Sequence, residues 1–158
     1  MGGEITPDSV RQVLFALASR NPINIFLNSE GGSVTDALAI YDLILHRNVT
    51  VIALGQCCSA ALLVLLGGSK RLATPHCRFM AHAVGTSGEA ISSADSLEEF
   101  NLTTTVGSII RARTGSELRL SEDKLYFGSA EALRLGIVHK IWNAIPARSV
   151  SPVIRSIQ

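Results

Sequence analysis

Apolar and polar positions along the chain switch repeatedly between a helical period and short continuous runs, and each switch predicts an element. After Thr6-Pro7, Val10, Val13, Leu14 and Leu17 recur at helical spacing, which predicts an amphipathic helix from residue 7 to about 19, ended by Asn21-Pro22. Residues 23–27 form a short apolar run between turn residues and read as a buried strand. The stretch from Asn28 to Ser33, with Gly31-Gly32, reads as a turn. Ser33 and Asp36 then suggest a capping box for a second helix, whose inner face is Val34, Ala37, Leu38, Tyr41, Ile44 and Leu45. Residues 49–54 predict a second strand and 55–58 its exit turn. Residues 59–66 read as a very apolar helix stopped by Gly67-Gly68. Short strands are expected at 71–73 and 78–81, and a loop at 83–92. A long helix is expected at about 93–113, a short one at 129–135, and a last strand at 137–141. The tail from Pro146 to residue 158 carries no pattern. Alternating strands and helices predict an α/β domain with largely parallel pairing.

Composition narrows this further. At 158 residues the chain fits a single domain, 1–158, and with 47% hydrophobic and 17% charged residues it has the makings of a folded core. A net charge of +1 argues against binding nucleic acid or anionic membranes by bulk charge. Cys57, Cys58 and Cys77 are odd in number and lack metal-ligand spacing, which suggests free thiols in a reducing, cytoplasmic setting. The N-terminus does not have the pattern of a secretory signal. Residues 48–69 are uncharged and long enough to span a bilayer. Thr50, Gly55, Gln56 and Ser59 interrupt them, however, and a buried strand, a turn and a buried helix describe them better than one spanning helix.

Two junctions have the order strand, glycine-containing turn, helix, at Gly31-Gly32 and at Ser59-Ala60. The start of a helix offers unpaired N–H groups to an anion or oxyanion. Taken singly, Gly31-Gly32 is explained by a tight turn, Ser59 by an N-cap and His82 by a structural role at a strand end. His46, His76 and His139 lack even the adjoining loop that follows His82.

The motifs in series say more. Asn28-Ser-Glu-Gly-Gly-Ser-Val-Thr-Asp-Ala-Leu-Ala-Ile-Tyr-Asp42, Gly55-Gln-Cys-Cys-Ser-Ala60, Arg78-Phe-Met-Ala-His82, Arg113-Thr-Gly115 and Ser129-Ala-Glu-Ala132 through Leu135-Gly-Ile137 occur in one order. Over roughly residues 5–141 this order resembles the proteolytic subunit of the Clp protease family. The resemblance implies a Clp/crotonase-like superhelix of β-β-α units with a projecting handle helix at about 93–113. It implies a serine endopeptidase acting through an acyl-enzyme inside an oligomeric chamber, with Ser59 as nucleophile and His82 as general base. Gly32, with Gly31 beside it, and Ala60 are the implied oxyanion-hole donors. Neither metal nor organic cofactor is implied. The implied partners are peptide or unfolded-protein substrates and further copies of the chain, in stacked seven-subunit rings.

Counting back from Glu131-Ala132 and Gly136 puts the family's acid position on Lys124, so the neighbouring Asp123 is the expected third catalytic residue. The family's proline before Gly31 is Glu30 here. The chain also starts close to the first helix, without the family's gate-forming N-terminal segment, which makes an unfolding ATPase the least supported of the implied partners. The competing reading is an inactive structural ring subunit that keeps Ser59 and His82 without a working acid.

Overall fold

The computed structural model describes residues 1–18, 22–85 and 93–143. In chain order the elements are β1 (Gly2–Ile5), α1 (Pro7–Leu17), β2 (Ile23–Gly32), α2 (Val34–Ile44), β3 (Val49–Cys58) and α3 (Ala61–Gly67). They continue with β4 (Lys70–Ala73), β5 (Arg78–Ala81), α4 (Ser93–Thr114), β6 (Leu125–Gly128), α5 (Ser129–Arg134) and β7 (Lys140–Ile141). Five strands follow the order β1-β2-β3-β4-β7, while β5 pairs with β3 and β6. Every pairing is parallel except β5 with β6.

β3 organises this arrangement. Its first half pairs with β4, from Thr50 opposite Lys70 to Ala53 opposite Ala73, and its second half pairs with β5, from Gln56 opposite Arg78 to Cys58 opposite Met80. The strand changes neighbours at Gly55, which sits at φ +58. A Cβ at Gly55 would lie 3.0 Å from Asn28 Oδ1, and that same oxygen accepts the Gln56 N–H at 3.2 Å. The β2–β3 register shifts between Leu27 and Ser29 at the same place. Asn28 therefore fills the irregularity and satisfies an amide the bulge would otherwise orphan.

The expected turns at 28–33 and 55–58 are thus corrected. β2 and β3 run on to Gly32 and Cys58, because bulged strands tolerate glycines that look like breakers in one dimension. Only half of the expected capping box forms. Ser33 Oγ accepts the Asp36 N–H at 3.2 Å, whereas the Ser33 N–H is taken by Ile5 O at 3.0 Å. The uncharged segment 48–69 divides between β3 and the fully buried α3. Among the described residues no helix is long and apolar enough to cross a membrane. The C-terminal half of α4 docks through Val106 and Ile110, while Leu97 and Phe100 in its N-terminal half are 61% and 67% exposed. The tail from 146 lies outside the described residues, as does most of the 83–92 loop.

His139 yields a pH prediction. Its Nδ1 accepts the Arg71 N–H at 3.2 Å, which requires that nitrogen unprotonated. Desolvation of the ring, and then the charges on Arg71 and Arg113, hold its pKa below the ordinary 6.5. Between that lowered value and 6.5 the unfolded chain binds more protons than the native one, so stability falls as pH is lowered through that window. The ring is largely exposed, so the decline is shallow. Urea unfolding between pH 5 and 8 should show this component in the wild type and lose it in His139→Asn. Parallel pH profiles would contradict it.

Candidate active site

The β3–β5 pairing builds the site. Cys58 stands opposite Met80, and the Ser59 N–H extends that ladder by donating to Met80 O at 2.7 Å. Ser59 and His82 therefore leave adjacent parallel strands at their C-terminal ends, where open α/β sheets place their ligands. Ser59 Oγ lies 2.7 Å from His82 Nε2. Ser59 is not the N-cap of α3, a position held by Ala60, and its φ of +53 is the one left-handed value among described non-glycine residues. Such strain is retained where a side chain must be aimed, and here it aims the hydroxyl at the imidazole.

The two glycines approach from β2 for different reasons. A Cβ on Gly31, at φ +117, would lie 2.8 Å from Ser59 Cβ and 3.0 Å from Cys58 O. A Cβ on Gly32, at φ +130, would meet Ile5 O and N of β1 at 2.6 and 2.7 Å. Gly31 thus admits Ser59, and Gly32 admits β1. Gly32, Ser59, Ala60 and His82 line one cavity of about 80 Å³, whose walls are otherwise mostly apolar and include Val34, Leu62, Val106 and Leu120. No described acceptor takes the Ala60 N–H. Glu30 is exposed and lines a different groove, with Arg78 and Lys124, so its charge does not enter this cavity.

Cys58, next to the serine, does not compete as nucleophile. Burial pushes its thiol up from the usual value, and burial also raises Cys57 and takes Cys77 to about 12. All three are free thiols.

The structure does not bring Asp123 to the pair. Its side chain is exposed, and no hydrogen bond or ion pair among the described residues joins any carboxylate to the His82 ring. Lys124 lines the groove with Glu30 and does not line the Ser59 cavity. The segment does pass beside the histidine, since the Ala83 N–H donates to Ser121 O at 2.8 Å. Two of its members line cavities at the site: Leu120 lines the Ser59 cavity, and Glu122, exposed like Asp123, lines a neighbouring groove that His82 also lines. Sequence reasoning missed both, because counting from a helix cannot fix the register of an irregular segment.

A family profile described as Clp protease matches residues 3–144. The ATP-dependent Clp protease proteolytic subunit of Oltmannsiellopsis viridis is 38% identical over 129 residues, covering 74% of this chain and 66% of the relative. The subunit of the same name from Chlorella vulgaris is 37% identical over 128 residues, covering 74% and 64%. The chain thus spans slightly under two thirds of the length of these curated relatives. A solved ClpP1 mutant from Listeria monocytogenes superposes with a TM-score of 0.77 at 28% identity, over 90% of this chain and 88% of that one. This agreement identifies the architecture as the Clp/crotonase-like fold. With its serine and imidazole meeting where β3 and β5 end, the chain belongs to the Clp protease family.

Proposed function

We propose that this chain is a serine endopeptidase, and the 2.7 Å approach of Ser59 Oγ to His82 Nε2 carries the reading. Nε2 takes the hydroxyl proton as Ser59 attacks the scissile carbonyl, and then returns it to the leaving amine; water afterwards hydrolyses the acyl-enzyme. The Gly32 and Ala60 amides stabilise the oxyanion, a role supported by their place in the same cavity. The apolar walls suit one apolar substrate side chain next to the cleaved bond. The exposed Leu97 and Phe100 on α4 support assembly of further copies around a chamber.

The absence of a described carboxylate at His82 favours a second reading, an inactive ring subunit, because loss of the acid in the Ser-His-Asp template costs about 10⁴ in rate. A fluorophosphonate probe separates the two. Stoichiometric labelling that disappears in Ser59→Ala and in His82→Ala supports the peptidase. A wild-type chain that stays unlabelled from pH 6 to 9 supports the inert subunit.

A further inference from the structure

His82 makes one hydrogen bond among the described residues, through Nε2 to Ser59. An imidazole that accepts the serine proton at Nε2 carries its own proton on Nδ1, so a second donor is left to be satisfied. His82 also borders a groove of about 530 Å³ whose lining includes Phe100, Thr103 and two carboxylate residues, Glu99 and Glu122. Glu99 already has an interaction partner. Glu122 forms no hydrogen bond or ion pair with the described residues, and its segment is held against the histidine loop by the 2.8 Å bond from Ala83 N to Ser121 O. The facing wall is held by the Val84 N–H, which donates to Thr103 Oγ1 at 2.9 Å. Asp123, one residue further, does not line this groove, and Lys124 lines a different one together with Met80 and Arg78.

The geometry points to Glu122 as the positioning residue of the site. Its side chain turns within the shared groove to accept the His82 Nδ1–H, which fixes the tautomer that presents Nε2 to Ser59. Leu120, two residues earlier, lines the Ser59 cavity with an apolar side chain and cannot supply this acceptor. Glutamate has one methylene more than aspartate, and that added reach is what an acid displaced from the histidine requires.

This inference rests on the peptidase reading, so its test includes a readout that does not need turnover. In the full-length chain, an imidazole N–H bonded to a carboxylate gives a far-downfield proton resonance, assignable by its loss in His82→Gln. Glu122→Gln should abolish that resonance, while Asp123→Asn and Glu99→Gln should keep it. In peptide hydrolysis, Glu122→Gln should lower kcat about a hundredfold or more with KM little changed, the lower side of the about 10⁴-fold cost in the triad template. Glu122→Asp should recover little, because it restores charge without reach. A resonance that survives Glu122→Gln, or is never seen in the wild type, overturns the assignment, as does its loss in Glu99→Gln instead. If Ser59 proves unreactive while Glu122→Gln still abolishes the resonance, the positioning role stands and the peptidase reading falls.

Discussion

Gly31→Ala is expected to cut the rate of Ser59 phosphonylation at least about a hundredfold while leaving the chain folded. The added Cβ would stand 2.8 Å from Ser59 Cβ and 3.0 Å from Cys58 O, and neither atom belongs to a flexible side-chain end that could swing away. Ser59 itself cannot yield easily, because its N–H is bonded to Met80 O and its φ is already at +53. Gly31 has its own restriction, since φ +117 is open to glycine and closed to nearly everything else. The strain is relieved by separating β2 from the β3 end, which opens the 2.7 Å bond to His82 and moves the hydroxyl out of line. A displacement near 1 Å is enough for a loss of about 10². Gly32→Ala acts elsewhere, against the Ile5 backbone, and should weaken β1 pairing as well as the site. Labelling kinetics, with melting curves to show folding, test the prediction; a Gly31→Ala rate within threefold of wild type would refute it.

How much of this could be read from the sequence depends on whether the deciding interactions were local. The helices around Val13, Ile40 and Leu63 announce themselves through apolar spacing, and their bounds moved by only a residue or two. Ser59 and His82 stand out in the sequence only through the order of several motifs, since each alone has a bland explanation; the β3–β5 ladder is what brings their side chains together. The strands Gly2–Ile5 and Leu125–Gly128 were not legible. One begins with two glycines and is held by β2, the other is antiparallel to β5, and both pairings are tertiary. The acid failed for the same reason: residues 116–124 follow no period, so only Ala83 bonding to Ser121 shows which of them pass beside His82.

The Arg113-Thr-Gly115 motif has a structural explanation that sequence did not offer, and it carries the largest expected effect on stability. Arg71 is 3% exposed, yet no described carboxylate pairs with it. Its guanidinium donates to Ile137 O at 2.9 Å, Gly136 O at 2.9 Å and Arg113 O at 3.0 Å. Arg113 in turn donates to Leu66 O at 2.8 Å and Gly68 O at 3.0 Å. The two cations thus gather the carbonyls at the ends of α3, α4 and α5, where the helix dipoles are negative. Burial, and then the proximity of Arg113, lowers the Arg71 pKa to about 10, which leaves it charged at neutral pH. Arg71→Met would orphan three buried or half-buried carbonyls at about 1–3 kcal/mol each, so a total near 3–5 kcal/mol is expected after partial relaxation. That is a large share of the roughly 5–15 kcal/mol that holds such a domain together. Arg113→Met strands two carbonyls and should cost about 2–3 kcal/mol. The double variant should lose more than the sum, because the repulsion between the two cations is relieved in each single variant and so is counted twice in their sum but only once in the double. Arg71→Lys, with a point charge in place of a planar fork, should recover only a minor part. Urea unfolding of the four variants measures this directly, and an Arg71→Met loss below about 1 kcal/mol would mean that water takes over these carbonyls at little cost.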